Sequence, residues 1–106
     1  MPETLVLYPG IDILFGREED PAGRPIVVIP DPSLQPHHAR IFNQREGEND
    51  LFFLEKTGAG GVILIWRKGR PIALLSQSRT EVPIKRGDVI SLSSNTRFRL
   101  ETTPTK

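Results

Sequence analysis

The sequence holds two histidines, and they are neighbours: His37 and His38, in the stretch IPDPSLQPHHARIF from Ile29 to Phe42. Histidine can ligate a metal or carry a proton, and each role makes demands on its surroundings. Adjacent residues on an extended chain point to opposite sides, so this pair is badly placed to share one ion. Cysteine is absent and there is no third histidine, so a zinc or iron site would have to recruit carboxylates from elsewhere. Ser33, His38 and an aspartate supply the residue types of an acyl-transfer triad, but no GxSxG nucleophile elbow accompanies them. The expectation is therefore no enzyme, no cofactor and no metal. What remains for His38 is a buried ring whose two nitrogens tie loop backbone together.

The glycine cluster TGAGG, Thr57–Gly61, is the second stretch with chemical potential. It lacks the Lys-Ser/Thr ending of a nucleotide loop, and no helical pattern follows it. Between two strong apolar runs it reads as a tight or bulged turn, whose consecutive amides could also cradle an anion. The basic cluster Arg67, Lys68 and Arg70 falls at a turn without interleaved aromatics, which does not argue for nucleic acid. The formal net charge of +1 gives no field favouring nucleic acid or an anionic membrane.

These loops need strands to hold them. At 106 residues the chain fits one domain able to bury a core without staples. No long window shows a 3.6-residue apolar stripe; the best, His37–Asn49, is interrupted by Gly47. Period two recurs instead. TRFRLE sets Thr96, Phe98 and Leu100 against Arg97, Arg99 and Glu101, IDILF groups Ile11, Ile13 and Phe15, and TLVLY pairs Leu5 with Leu7. IVVI (Ile26–Ile29), LFFL (Leu51–Leu54) and VILIW (Val62–Trp66) are continuously apolar and read as strands covered on both faces. About ten short strands at roughly eight-to-twelve-residue spacing indicate an all-β sandwich or barrel. YPGI (Tyr8–Ile11) suits a tight hairpin, and EGEND (Glu46–Asp50), RKGR (Arg67–Arg70) and KRGD (Lys85–Asp88) suit the same task. The apolar runs are too short to span a membrane. The opening segment MPETLVLYPG has no basic stretch leading into a long apolar one. Together with the absence of cysteine, this suits a cytoplasmic location.

The order of the pieces carries a resemblance. FGRE (Phe15–Glu18) is followed by the apolar strand IVVIPDPS, then HHARI, a strand and the Gly-rich loop, then VPIKRGDVISLS (Val82–Ser93) and a final alternating strand. This resembles the forkhead-associated (FHA) domain, whose members read Gly-Arg, Ser-x-x-His-Ala, Asn-Gly-Thr, then Gly-Asp, Ile and a last strand. The resemblance runs from about Leu5 to Leu100. It implies an FHA-like (SMAD/FHA) β-sandwich of about ten or eleven short strands over residues 1–101, with 102–106 as a tail.

The resemblance also implies a function: recognition of phosphothreonine in a partner protein by loops at one end of the sandwich. On that basis Arg17 corresponds to the phosphate-contacting arginine, and His38 to the histidine bracing the loops, with Gly16, Gly87 and Asp88 as further structural positions. Ser33, Gln35, His37, Gly58, Ala59 and Gly60 would form the remaining partner-binding edge. The departures mark a degenerate member. Gln35 stands where the family has its phosphate-binding serine, and Pro36 and His37 replace a polar or basic pair. The Asn-Gly-Thr element aligns with Gly60, Gly61 and Val62, so its asparagine is missing. Each lost neutral hydrogen bond removes about 1 kcal/mol, so losing two or three implies phosphate binding weakened about ten- to a hundredfold. The implied partner is a protein or phosphopeptide, without nucleic acid, membrane insertion or a small-molecule substrate. The alternative is a structural or oligomerisation domain of a larger protein.

Overall fold

A computed structural model describes residues 3–19, 22–23, 25–58, 62–77 and 79–102. Ten strands run in chain order: β1 Glu3–Leu7, β2 Asp12–Gly16, β3 Ile26–Val28, β4 Ala39–Glu46, β5 Asn49–Lys56, β6 Ile63–Arg67, β7 Arg70–Leu75, β8 Glu81–Ile84, β9 Val89–Ser91 and β10 Arg97–Thr102. They form two five-stranded sheets, one ordered β1-β10-β9-β6-β7 and the other β3-β2-β4-β5-β8. Among the described residues no helix is long and apolar enough to cross a membrane.

Period two explains which side chains meet between the sheets. In β10 the buried Phe98 and Leu100 alternate with the exposed Arg97 and Arg99. In β6 Ile63 and Ile65 are buried while Leu64 and Trp66 are half-buried. The inward residues of both sheets join one core that includes Leu7, Ile11, Phe15, Ile41, Leu54 and Ile90. Phe15 of β2 and Phe98 of β10 join the layers, with ring centroids 5.6 Å apart and planes tilted by 48°. Full burial of side chains of this size contributes about 1.5–3 kcal/mol each.

The sandwich corrects the reading of the apolar runs. A two-layer fold covers each strand on one face, so none of the three runs is covered on both. Val27 and Val28 are 39% and 45% exposed on the edge strand β3, Leu51 is 38% exposed and Val62 is 49% exposed. The turns divide in two. Gly47 (φ 62°) closes the β4–β5 hairpin, and Lys68 and Gly69 (φ 53° and 77°) turn β6 into β7, the pair of positive φ values that a two-residue hairpin turn requires. Tyr8–Ile11 is a tight turn, with the Ile11 amide donating to the Tyr8 carbonyl at 3.0 Å, but not a hairpin. Its flanking strands belong to different sheets, as do β8 and β9 around Gly87. Glycine serves here to carry the chain from one layer to the other.

Two pairings are parallel, β1 with β10 and β2 with β3. β10 extends through Thr102, which pairs with Leu7, one residue into the stretch read as a tail; 103–106 lie outside the described residues.

Candidate functional site

Three connections converge at one end of the sandwich. β2 delivers Gly16 and Arg17, the β3–β4 loop delivers Asp31 to His38, and β5 delivers Lys56, Thr57 and Gly58. The middle loop is held from both sides by backbone hydrogen bonds. The Arg17 amide donates to the Gln35 and Pro36 carbonyls, each at 3.1 Å, and the His38 amide donates to Phe15 at 2.8 Å. On the other flank the Thr57 and Gly58 amides share the His38 carbonyl at 3.1 and 3.3 Å.

Close approach explains two glycines. A Cβ on Gly16 would lie 1.8 Å from the Pro36 carbonyl oxygen, so the loop can rest on β2 only if that residue is glycine. A Cβ on Gly58 would meet the Gln35 side chain at 2.7 Å and the His37 carbonyl at 3.0 Å.

His38 is 2% exposed. Its Nδ1 accepts the Gln35 amide at 3.0 Å, and its Nε2 faces the Leu92 carbonyl at 2.9 Å. The first contact requires a bare Nδ1 and the second a protonated Nε2, so the two fix one neutral tautomer. Burial pushes the His38 pKa below 6.5; the Leu92 carbonyl acts against that shift and nearby Lys56 adds to it. The ring thus joins the β3–β4 loop to the β9–β10 connection.

A second tie links the same two segments. Asp31 accepts from the Ser93 hydroxyl at 2.5 Å, the Thr96 hydroxyl at 2.6 Å and the Ser33 amide at 2.9 Å. The Ser93 and Thr96 hydroxyls, then the Ser33 amide, lower the Asp31 pKa from 3.8 to about 2. Asp31 was not singled out in the sequence, although Asp-Pro-Ser is the signal of an Asx turn. Lys56 was also missed. It occupies an inward position of β5, two residues after Leu54, and its ammonium donates to the Gly58 carbonyl from a buried position.

The arrangement gathers Arg17, Ser33, Gln35, His37 and Gly58 at this end, with Gly16 and His38 beneath them; Ala59 and Gly60 lie outside the described residues. Arg17 is exposed, and among the described residues its side chain makes no ion pair. Its sequence neighbours Glu18 and Glu19 are acidic and also exposed. A groove of about 600 Å³ descends from His37 and Thr57 along the outer face of the second sheet to Arg40. Two carboxylates face one guanidinium there, since Arg40 forms a two-pronged pair with Asp12 at 2.8 Å per contact and lies 3.7 Å from Glu55, so among the described residues the groove offers no free cation for an anion.

Gly87 and Asp88, grouped on the sequence with Gly16 and His38, sit at the opposite end of the sandwich. There the fully buried Asp88 carboxylate pairs with Arg67 through two contacts of 2.8 Å and accepts the Lys85 amide at 3.0 Å. They lie in the β8–β9 connection, the turn before the penultimate strand, as structural positions away from the loops around Arg17. Among the described residues no group of three His, Asp or Glu is placed to hold a metal.

Among solved structures, the chain is similar to the FHA domain of the CT664 protein from Chlamydia trachomatis. The two share 20% identity and superpose with a TM-score of 0.55, over 83% of this chain and 73% of that one. No protein-family model matches the sequence, and no curated protein matches it. The fold is thus an FHA-like all-β sandwich of ten strands in two sheets.

Proposed function

We propose that this domain is a protein-interaction module that engages its partner through the loops around Arg17, with phosphothreonine recognition retained in weakened form. The observation that carries the reading is the convergence of three loops, locked by their own backbone hydrogen bonds, beneath an exposed arginine. A platform held this way loses little conformational freedom when a partner docks.

The weakening follows from where the donors go. The Ser33, Gln35, Thr57 and Gly58 amides all donate within the protein. An incoming phosphate would rest on the Arg17 guanidinium with few neutral donors beside it. An exposed ion pair contributes about 0–1 kcal/mol, and the adjacent Glu18 and Glu19 oppose an anion. Contacts from the rest of the partner must therefore supply most of the affinity, and the groove below His37 and Thr57 offers room for a side chain next to the phosphorylated residue.

The reading is tested with an array of phosphothreonine peptides and their unphosphorylated counterparts, probed with the domain and with Arg17→Ala. Preferential binding of phosphorylated peptides that collapses in the variant supports it. Binding that ignores both phosphate and Arg17 reduces the reading to phosphate-independent recognition, and no binding to any peptide overturns it.

A further inference from the structure

The outer face of the first sheet carries a feature unrelated to the loop end. Because Phe98 and Leu100 point inward, Arg97 and Arg99 both point outward from β10. Register places Arg99 beside Val89 of β9, and Val89 beside Trp66 of β6. Arg99 and Trp66 thus stand one strand to either side of Val89, about 10 Å apart at ordinary strand spacing. Lys68, in the β6–β7 turn, closes the end of a groove of about 590 Å³ whose floor is Trp66 and Val89 and whose rim carries Lys68, Arg97 and Arg99. Among the described residues none of these three cations is in an ion pair. The acidic residue on the same face, Glu101, is occupied by Arg86 at 3.1 Å.

We propose that this groove docks an extended acidic segment of a partner protein, carboxylates on Arg97 and Arg99 and an apolar side chain on Trp66. The spacing suits such a ligand. Side chains two residues apart on a strand are about 7 Å apart, so alternate acidic residues of an extended segment match Arg97 and Arg99 one to one. The apolar floor supplies what charge at an exposed rim cannot, since aromatic and apolar anchors carry most interface affinity while rim charges steer and select. Nucleic acid fits less well, because its affinity grows with the number of phosphates neutralised and this groove presents only Lys68, Arg97 and Arg99 as cations. A membrane surface also fits less well, since lipid-reading clusters run to about four to eight basic residues. The site needs no phosphate and is independent of the loops around Arg17.

The chain's single tryptophan is Trp66, so its fluorescence reports this groove alone. The probe is a peptide alternating glutamate with serine and ending in two leucines. Comparison ligands carry glutamine for glutamate or serine for leucine, with a single-stranded oligonucleotide and phosphatidylglycerol vesicles alongside. A saturable change is expected with the acidic leucine peptide, weakened about tenfold or more by either peptide change and by Arg97→Glu with Arg99→Glu. Both arginines are exposed, so the thermal transition should not move; should the double variant unfold, Arg99→Gln serves instead. No response to the acidic peptide, an equal response to its glutamine form, or a response only to oligonucleotide or vesicles overturns the proposal.

Discussion

The His38 Nε2 lies 2.9 Å from the Leu92 carbonyl, a buried contact between residues 54 positions apart. It has a pH sign. A group whose pKa is lowered by folding favours its neutral form in the folded protein, so its contribution is complete above the unfolded value of 6.5 and is lost as pH falls through the lowered folded value. Protonation would also end acceptance of the Gln35 amide at Nδ1. Urea unfolding is expected to give lower stability at about pH 5 than at about pH 8, with a smaller difference in His38→Ala. At the higher pH that substitution should itself cost about 2–4 kcal/mol, from a cavity and two abandoned backbone partners. An unchanged pH difference in the variant would show that another group sets it.

Gly16→Ala and Gly58→Ala should separate. The Cβ at Gly16 collides with the Pro36 carbonyl at 1.8 Å, whereas the one at Gly58 meets Gln35 Cγ and Cβ at 2.7 and 2.9 Å and the His37 carbonyl at 3.0 Å, a milder overlap that a smaller shift relieves. Denaturant unfolding is expected to show a loss of about 2–4 kcal/mol for the first and about 1 kcal/mol for the second. Equal losses would contradict the account of loop seating.

How much of this end could be read beforehand depends on whether the cause is local. The alternation in β10 and the positive-φ turn at Lys68 and Gly69 are set by neighbouring residues and were legible. So was the fold class, through the order of Gly16-Arg17, His38-Ala39 and Gly87-Asp88. The position of Asp88 at the far end was not, because it depends on which sheet each strand joins. Nor was the exposure of Val27 and Val28, since an apolar run looks the same on an edge strand as in a covered one. Asp31 and Lys56 act through partners up to 65 residues away or through a loop carbonyl, and composition does not register such contacts.

Asp31 should govern the acid limb. Its lowered pKa means that its contribution is complete above 3.8 and is lost as pH falls toward about 2. Thermal melts in that window are expected to fall steeply for the native protein and less steeply for Asp31→Asn, which should start from a lower melting temperature near neutrality. Parallel acid limbs would sink this assignment.

The Arg67–Asp88 pair should be costly to break from one side. Asp88 is fully buried, so Arg67→Ala leaves a carboxylate that keeps, among the described residues, the Lys85 amide at 3.0 Å as its donor. Removal of one member of a buried pair costs about 3–5 kcal/mol. Because Arg67 is about a third exposed and water can enter, the expected loss by urea unfolding is about 2–3 kcal/mol. A loss below about 0.5 kcal/mol would mean the pair is solvated in practice.

The most direct measurement is an NMR titration of the isotope-labelled domain with a degenerate phosphothreonine peptide pool and with its unphosphorylated counterpart. Phosphate-dependent shifts confined to Arg17, Ser33–His37 and the Thr57–Gly58 segment are expected, and they should be lost in Arg17→Ala. Equal shifts from both pools, or phosphate-dependent shifts that leave these residues untouched, would contradict phosphate recognition by these loops.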